Sequence, residues 1–153
     1  MDLSLSYVFK GLNEDQLKRI GAIATDLSME VGQEIIKEGE EAKALYILKS
    51  GAVELVTIVE NDFELPISIF KNHGDIFGAG VLVTPYEYTL TARCFKVGVL
   101  LKLERSKLKK LMKDDRDLSC TIMSNLAEYF LLRLKESRRE IKIHFSTLLK
   151  SYR

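Results

Sequence analysis

The chain contains few residues suited to acid–base, nucleophilic or metal chemistry. It has two histidines, His73 and His144, and two cysteines, Cys94 and Cys120. A histidine-rich metal site needs more imidazoles than these. Because neither cysteine belongs to a CxxC pair, we expect two reduced, buried thiols and no zinc or redox site. A serine or cysteine nucleophile would need one of the two histidines as its base. We therefore expect neither enzyme activity nor a metal centre.

Composition and charge exclude several further classes. The chain has 153 residues, of which 46% are hydrophobic and 29% charged, as is typical of one globular domain. Its 23 basic and 22 acidic residues leave a net charge of +1, so no overall field attracts it to nucleic acid or an anionic membrane. No segment approaches the roughly 20 apolar residues of a membrane span, and the first residues lack a signal-peptide pattern. We expect a cytoplasmic protein that contacts no membrane.

The N-terminal part has helical periodicity. Apolar residues recur every three or four positions between residues 3 and 27. Asn13 is placed to cap a helix, and Glu14 and Asp15 would lie in its first turn, where acidic side chains are favourable. We therefore predict a short helical segment that continues to Leu27.

Between residues 28 and 103, glycines separate short apolar runs. Such runs, bounded by turn residues, are typical of an antiparallel β structure. Asn61 and Asp62 have turn-forming side chains and predict a hairpin tip. The predicted strands cover residues 34–36, 44–48, 53–59, 65–70, 88–95 and 97–103.

After residue 103 the helical period returns and predicts a short helix over 106–112 and a long helix over 114–149. A helix of about 35 residues spans about 50 Å and should extend beyond a domain of this size. Its apolar positions alternate spacings of three and four, which favours a parallel homodimer over a single wide face buried in the monomer. The predicted dimer interface consists of Cys120, Met123, Ala127, Phe130, Leu134, Ser137 and Ile141, and the same seam continues through His144 and Leu148.

Four spaced blocks of sequence resemble the cyclic nucleotide-binding domain family. They are Phe9 with Leu12, GQEIIKEGE from Gly32, LYILKSGAV from Leu45, and GDIFG from Gly74. The resemblance covers nearly the whole chain, and the long last helix is similar to the dimerisation helix of Crp/Fnr-type regulators. It implies a mainly β fold, a double-stranded β-helix or jelly roll with flanking helices. The roll with its N-terminal and short post-roll helices would cover residues 1–112, and the dimerisation helix residues 113–153.

The resemblance also implies a phosphate-binding cassette over residues 74–94. In the family a glutamate binds the ribose 2′-hydroxyl and an arginine neutralises the cyclic phosphate, but the matching positions here hold Ala79 and Tyr88. A buried phosphate without its counter-ion costs several kcal/mol, and the lost ribose hydrogen bond adds about 1–3 kcal/mol. We therefore expect no tight binding of cAMP or cGMP. The ligand-binding residues implied by the resemblance are Phe77, Gly78, Ala79, Gly80, Val81, Leu82, Tyr88, Thr89 and Arg133.

Two arginines could replace the missing phosphate anchor. Arg93 is five residues after Tyr88, so strict strand alternation places it on the opposite face unless a bulge intervenes. Arg133 aligns where Crp-like relatives present a polar residue to the base, although a solvent-facing or dimer-rim position is the alternative. The cassette backbone still offers N–H donors, so a nucleotide-like or other small anionic ligand is expected if any binds. Tyr88 could serve either as a plug or as a hydroxyl donor.

These observations predict a ligand-sensing regulatory module of the Crp/Fnr type, acting in signal transduction or transcription regulation. One alternative is a haem-based gas or redox sensor on the same scaffold, with an axial ligand among the two histidines and two cysteines. The other is an unliganded, structural dimerisation domain. Because no helix-turn-helix unit follows the long helix, we expect no DNA binding by this chain alone. The expected partners are a second copy of the chain, a small-molecule ligand and a protein.

Overall fold

A computed structural model describes residues 2–153. One helix precedes six strands, and two helices follow them. The helices are α1 (Glu14–Ile23), α2 (Arg105–Asp114) and α3 (Arg116–Ser151). The strands are β1 (Ala24–Met29), β2 (Glu34–Ile36), β3 (Ala44–Ile58), β4 (Glu64–Phe70), β5 (Ile76–Phe77) and β6 (Thr91–Glu104). This architecture confirms the predicted mainly β fold with flanking helices and a long C-terminal helix.

All strand pairs in the sheet are antiparallel. The strand order is β1-β6-β3-β4, while β2 also pairs with β6 and β5 with β3. The long strands β3 and β6 change register around Ser50 and Ala52. A Cβ atom on Gly98 would lie 2.0 Å from the carbonyl oxygen of Ser50. The backbones of β3 and β6 are therefore too close at this point for any residue but glycine. Bulges of this kind bend a sheet, and here they curve it into a roll.

The N-terminal helix begins where the sequence predicts and ends earlier. The Asn13 side chain accepts from the backbone N–H of Gln16, whose own side chain accepts from the Asn13 N–H, which forms a capping box. The prediction that the helix continues to Leu27 is wrong, because residues from Ala24 onward form β1 and pair with β6. Apolar residues three or four positions apart occur by chance over so short a segment. The backbone hydrogen bonds that β6 offers make residues 24–29 a strand.

Two pairs of predicted strands are each one continuous strand. The runs over 44–48 and 53–59 both belong to β3, which passes through Gly51 in a left-handed conformation. The runs over 88–95 and 97–103 merge in the same way, but β6 begins only at Thr91, so Tyr88 lies in the preceding loop. The hairpin tip is where the sequence places it, since Asn61 and Asp62 both have positive φ angles.

The core is shared by the roll and by the first half of α3. Leu118, Ile122 and Leu126 are fully or almost fully buried in the same cluster as the strand residues. The predicted division between residues 112 and 113 falls inside the last turn of α2 and does not separate two cores. From Leu131 onward, every residue of α3 except the half-buried Arg133 is exposed in the single chain.

The two thiols differ in their surroundings. Cys94 is buried, and this burial raises the pKa of its thiol. The prediction of a buried thiol is wrong for Cys120, which lies on the exposed face of α3.

No helix among residues 2–153 combines the length and the apolar composition that crossing a bilayer requires.

Candidate functional site

A cavity of about 480 Å³ lies between the cassette loop, the sheet and α3. The sheet and the loop from Gly78 to Leu90 form most of its wall, and the middle of α3 forms the remainder. Its volume falls in the range of small-molecule sites. The residues that line it are Ile36, Leu55, Ile67, Ser68, Phe70, Ile76, Phe77, Gly78, Ala79, Gly80, Val83, Thr84, Pro85, Glu87, Tyr88, Thr89, Leu90, Tyr129, Phe130, Arg133, Glu136, Ser137 and Glu140.

The cassette is held by close backbone packing. Gly78 has a left-handed conformation with φ 80°, after which Ala79–Leu82 form a single 3-10 turn. A Cβ atom on Gly80 would lie 2.2 Å from the carbonyl oxygen of Glu87, so only glycine fits there. The turn is too short to act as a helix N-terminus with an effective dipole.

The hydroxyl of Tyr88 is fully used by the protein. It donates to the carbonyl oxygen of Ala44 at 3.0 Å and accepts from the backbone N–H groups of Lys43 and Ala44 at 3.1 and 3.0 Å. A phenol has one donor and two acceptor positions, so no hydrogen bond remains for a ligand. In this arrangement the Tyr88 hydroxyl bonds the backbone of residues 43 and 44, so donation to a ligand would require one of these bonds to break. Its buried ring lines the cavity without filling it.

Arg133 lies on the α3 side of the cavity. Its guanidinium carbon is 4.8 Å from the ring centroid of Phe70 and 5.0 Å from that of Tyr129. Its Nη1 donates to a carboxylate oxygen of Glu136 at 2.9 Å. Arg133 therefore lines the site as expected, but its charge already has an anionic partner and two aromatic faces.

Three carboxylates accompany this arginine in the lining: Glu87, Glu136 and Glu140. All three are exposed, so they belong to the solvent-facing rim. With Arg133 as the one cationic side chain among the lining residues, the formal charge of the wall is negative. Sequence reasoning missed this rim, because the cassette motif does not show that Glu136 and Glu140 of α3, some fifty residues after Glu87, line the same cavity as Glu87.

The deep part of the cavity is apolar. Its most buried side chains are Ile36, Leu55, Phe70, Ile76 and Phe77. Tyr129 closes one side, where its hydroxyl donates to the carbonyl oxygen of Ile76 at 3.3 Å, and burial raises the pKa of its phenol. Within residues 2–153, the one buried side-chain polar atom without a hydrogen bond is Oγ of Ser6, which does not line this cavity. The strand residues of the wall carry one hydroxyl, that of the half-buried Ser68, which pairs with Leu55 across β3 and β4.

Most of the predicted ligand residues come together around the cavity. The two exceptions are Val81 and Leu82, which are buried at 0% and 7% exposure in the core and do not line it. Their side chains point away because a 3-10 turn directs successive residues to different sides. The predicted residues that line the cavity are Phe77, Gly78, Ala79, Gly80, Tyr88, Thr89 and Arg133.

Arg93 does not contribute to the cavity. Its guanidinium forms a two-pronged ion pair with Glu64 of β4, with N–O distances of 2.9 and 2.6 Å, and this pairing raises the pKa of Arg93 and lowers that of Glu64. Thr91 is also buried away from the cavity, and its Oγ1 accepts from the backbone N–H of Glu38. The phosphate anchor is therefore not replaced from β6.

The residues of the predicted dimer seam all lie on one exposed side of α3. They are Cys120, Met123, Ala127, Phe130, Leu134, Ser137 and Ile141. The opposite stripe, with Leu118, Ile122 and Leu126, faces the roll. Two seam residues, Phe130 and Ser137, also line the cavity, so the cavity opens next to the seam.

Neither histidine lines the main cavity. His73 borders a separate cavity of about 380 Å³, and its Nδ1 is 2.8 Å from the carbonyl oxygen of Lys49. His144 lies on the exposed second half of α3. Among residues 2–153 there is no cluster of three histidine, cysteine or carboxylate side chains that could hold a metal ion.

Comparison with known proteins connects this fold to one family. The cyclic nucleotide-binding domain family matches residues 27–115. The anaerobic regulatory protein of Bacillus subtilis (strain 168) is 25% identical over 146 residues, which cover 91% of this chain and 60% of that protein. The potassium channel KAT1 of Oryza sativa subsp. japonica is 27% identical over 139 residues, covering 86% of this chain and 18% of the channel. The chain thus spans 60% or less of the length of these two curated relatives.

Solved structures agree with the sequence comparison. A Geobacter metallireducens GS-15 protein described as a cyclic nucleotide-binding protein superposes with a TM-score of 0.72 at 30% identity, covering 86% of this chain and 95% of that one. The catabolite activator protein of Thermus thermophilus superposes with a TM-score of 0.76 at 23% identity, covering 90% of this chain and 62% of that one. The chain therefore belongs to the cyclic nucleotide-binding domain family.

Proposed function

We propose that the chain is a ligand-sensing regulatory module whose cavity does not bind cAMP or cGMP tightly. The observation that carries this proposal is the combination of an open cavity at the cassette with the loss of both nucleotide anchors. Ala79 has no group that could bind a ribose hydroxyl, and the hydroxyl of Tyr88 is bonded to the backbone of β3. A cyclic phosphate placed there would be desolvated without a counter-ion.

Titration calorimetry with cAMP and with cGMP tests this proposal. We expect a dissociation constant above about 10 μM, which corresponds to about 7 kcal/mol of binding free energy. Tighter binding to the wild-type chain would overturn the proposal. Ala79→Glu combined with Tyr88→Arg should create or strengthen binding. Ala79→Glu combined with Tyr88→Phe is the matched control, because it lacks the cation and also removes the hydroxyl hydrogen bonds.

The cavity suggests how an occupant would act on the rest of the protein. Its wall is formed on one side by the cassette and the sheet, and on the other by Tyr129, Phe130 and Arg133 of α3. A molecule that contacts both sides favours the α3 position in which those contacts form. The response would then be a shift in the population of α3 positions.

We also propose that the module is a homodimer through the exposed seam of α3. Apolar seam residues such as Phe130, Leu134 and Ile141 are 43–54% exposed in the single chain, and a second copy of the same helix would cover them. The chain would pass its signal either to a protein partner or to further segments of a longer regulator.

Two isoleucines make a matched test of the dimer. Ile141 is in the seam and is 54% exposed, whereas Ile143 points to another side of the helix and is 53% exposed. We expect Ile141→Glu to shift the protein toward monomer in sedimentation velocity and Ile143→Glu to leave the dimer population unchanged. A stable wild-type monomer at tens of micromolar, or equal effects of the two changes, would contradict the proposed interface.

The two alternative functions have different signatures. Haem binding would give the purified protein a Soret absorption band, and this alternative has little support in a main cavity lined by neither histidine nor cysteine among the described residues. A purely structural dimerisation domain would need no cavity, and the open volume beside the cassette favours a ligand-binding role. Native mass spectrometry of the purified chain would detect a copurifying small molecule.

A further inference from the structure

We infer that the cavity selects a hydrophobic molecule whose polar end carries a positive charge, such as an aryl-alkyl amine, and discriminates against anions. The inference rests on the proposed function, since it assumes that the cavity is the ligand site. It replaces the anionic ligand expected from the cassette sequence with one suited to the side chains that surround the cavity.

The apolar deep wall requires that the buried part of the ligand be apolar. Five buried apolar side chains surround the inner part, and the Tyr88 hydroxyl directs its hydrogen bonds to the β3 backbone. A hydrocarbon or aromatic group gains free energy by leaving water here, at about 25 cal/mol for each Å² of apolar surface. A polar group at this depth would find at most the hydroxyl of Ser68 as a side-chain partner and would lose most of its hydration.

The rim determines the charge of the polar end. Among the described residues, Arg133 is paired with Glu136, while neither Glu87 nor Glu140 belongs to an ion pair. An anion would have to compete with Glu136 for Arg133 and would be repelled by the other two carboxylates. A cation would be attracted by those carboxylates and would leave the Arg133 pair intact.

The aromatic rings at the same end also favour a cation. The Arg133 guanidinium already lies over the rings of Phe70 and Tyr129, which shows that the faces of these rings accept positive charge in this setting. Phe130 lines the same end of the cavity at the border of the proposed seam, so the part of its ring that faces the cavity is the part a ligand would contact. An ammonium group at the rim could contact this additional ring face while it pairs with a carboxylate.

Three probes of similar size separate charge from hydrophobicity: phenylbutylamine, phenylbutanol and phenylbutyrate. The chain contains no tryptophan, so Phe130→Trp adds a single fluorescent reporter to the cavity wall; because Phe130 also belongs to the proposed seam, sedimentation velocity must give this variant the same oligomeric state as the wild type. Phe145→Trp adds a reporter on the exposed second half of α3 and is the control for binding elsewhere. Calorimetry on the wild-type chain measures the same affinities without a reporter.

At low salt we expect the amine to bind at least about tenfold more tightly than the carboxylate, with the alcohol between them. The ratio should fall toward one in Glu87→Gln combined with Glu140→Gln, and it should also fall as salt screens the exposed rim. Glu128→Gln removes an exposed α3 carboxylate outside the cavity and should leave the ratio unchanged.

The possible failures are distinguishable. Binding of the carboxylate as tightly as the amine, with a response of the Phe130→Trp reporter, would overturn the inferred ligand class and leave the proposed sensing function intact. A signal from the Phe145→Trp reporter alone would overturn the inferred site. Absence of binding by all three probes would overturn the inferred ligand class, whereas the proposed sensing function is tested separately by native mass spectrometry of the copurifying molecule.

Discussion

The two halves of α3 differ in what their apolar side chains contact. In the first half, Leu118, Ile122 and Leu126 pack into the core of the roll, and Asn125 donates to the carbonyl oxygens of Val8 and Lys10. In the second half, residues such as Leu134 and Ile141 are similarly apolar but exposed. Hydrophobicity alone therefore does not reveal where a helical residue is buried; the surface opposite the helix decides it.

The largest expected contrast comes from one substitution made in each half. Ile122→Ala removes a fully buried side chain and should lower the free energy of unfolding by about 2–5 kcal/mol. Ile143→Ala makes the same change at a 53% exposed position and should alter it by less than about 0.5 kcal/mol. Urea unfolding followed by circular dichroism measures both values. Equal losses would show that the second half is as tightly packed as the first.

A smaller effect is expected at the polar contact that fixes the first half. Asn125 donates at 3.0 and 2.7 Å to two backbone carbonyl groups of the N-terminal segment. Asn125→Ala leaves both acceptors without this donor and should cost about 1–3 kcal/mol of unfolding free energy. Asn125→Asp should cost at least as much, because an ionised carboxylate cannot donate. The exposed Ser124→Ala is the control, and a loss there equal to that of Asn125→Ala would contradict the assignment.

The smallest effect depends on pH and concerns the start of α3. Asp115 accepts from the backbone N–H of Leu118 at 2.9 Å and from Arg19 at 2.6 Å. Both bonds lower the pKa of its carboxyl, and the bond from Leu118 has the larger effect. A carboxyl whose pKa is lower in the folded state stabilises the protein above its unfolded pKa of about 3.9, and this contribution is lost as pH falls through the folded value.

Asp115→Asn tests this linkage, since asparagine retains the cap and loses the charge. The wild type should be the more stable of the two above about pH 5, and this advantage should shrink below about pH 4. The Arg19→Ala background should reduce the difference at every pH at which Asp115 is ionised. Urea midpoints measured between pH 2 and 7 would contradict the prediction if the difference between the two proteins stayed constant.

The sequence predicted those elements whose signals are local. Each of these signals involves residues that are close in sequence. They are the capping box at Asn13, the tip at Asn61 and Asp62, and the apolar period of α3. β1 was not predicted, because its identity depends on pairing with residues 98–103, some seventy positions later. A local pattern cannot contain that information when the strand is short and its apolar spacing also suits a helix.

The candidate site shows the same distinction. The cassette and Arg133 could be located from the resemblance to the cyclic nucleotide-binding domain family, which aligns both with the family's ligand site. The use of the Tyr88 hydroxyl could not be predicted, since its partners at Lys43 and Ala44 lie more than forty residues earlier. The negative rim was missed for a similar reason, because Glu87 and Glu140 meet only once α3 has packed against the roll.

Asn125 fixes the first half of α3 to the N-terminal segment, so a tilt of the helix about this point displaces its far end most. Arg133 at the cavity is eight residues beyond this anchor and Ser151 at the helix end is twenty-six residues beyond it, which correspond to about 12 and 39 Å at 1.5 Å per residue. If α3 pivots as a rigid rod, a displacement of about 1 Å at the cavity becomes about 3 Å at the far end. The exposed second half would then move about three times as far as the part of α3 that contacts the ligand, a displacement large enough to change side-chain packing against a partner.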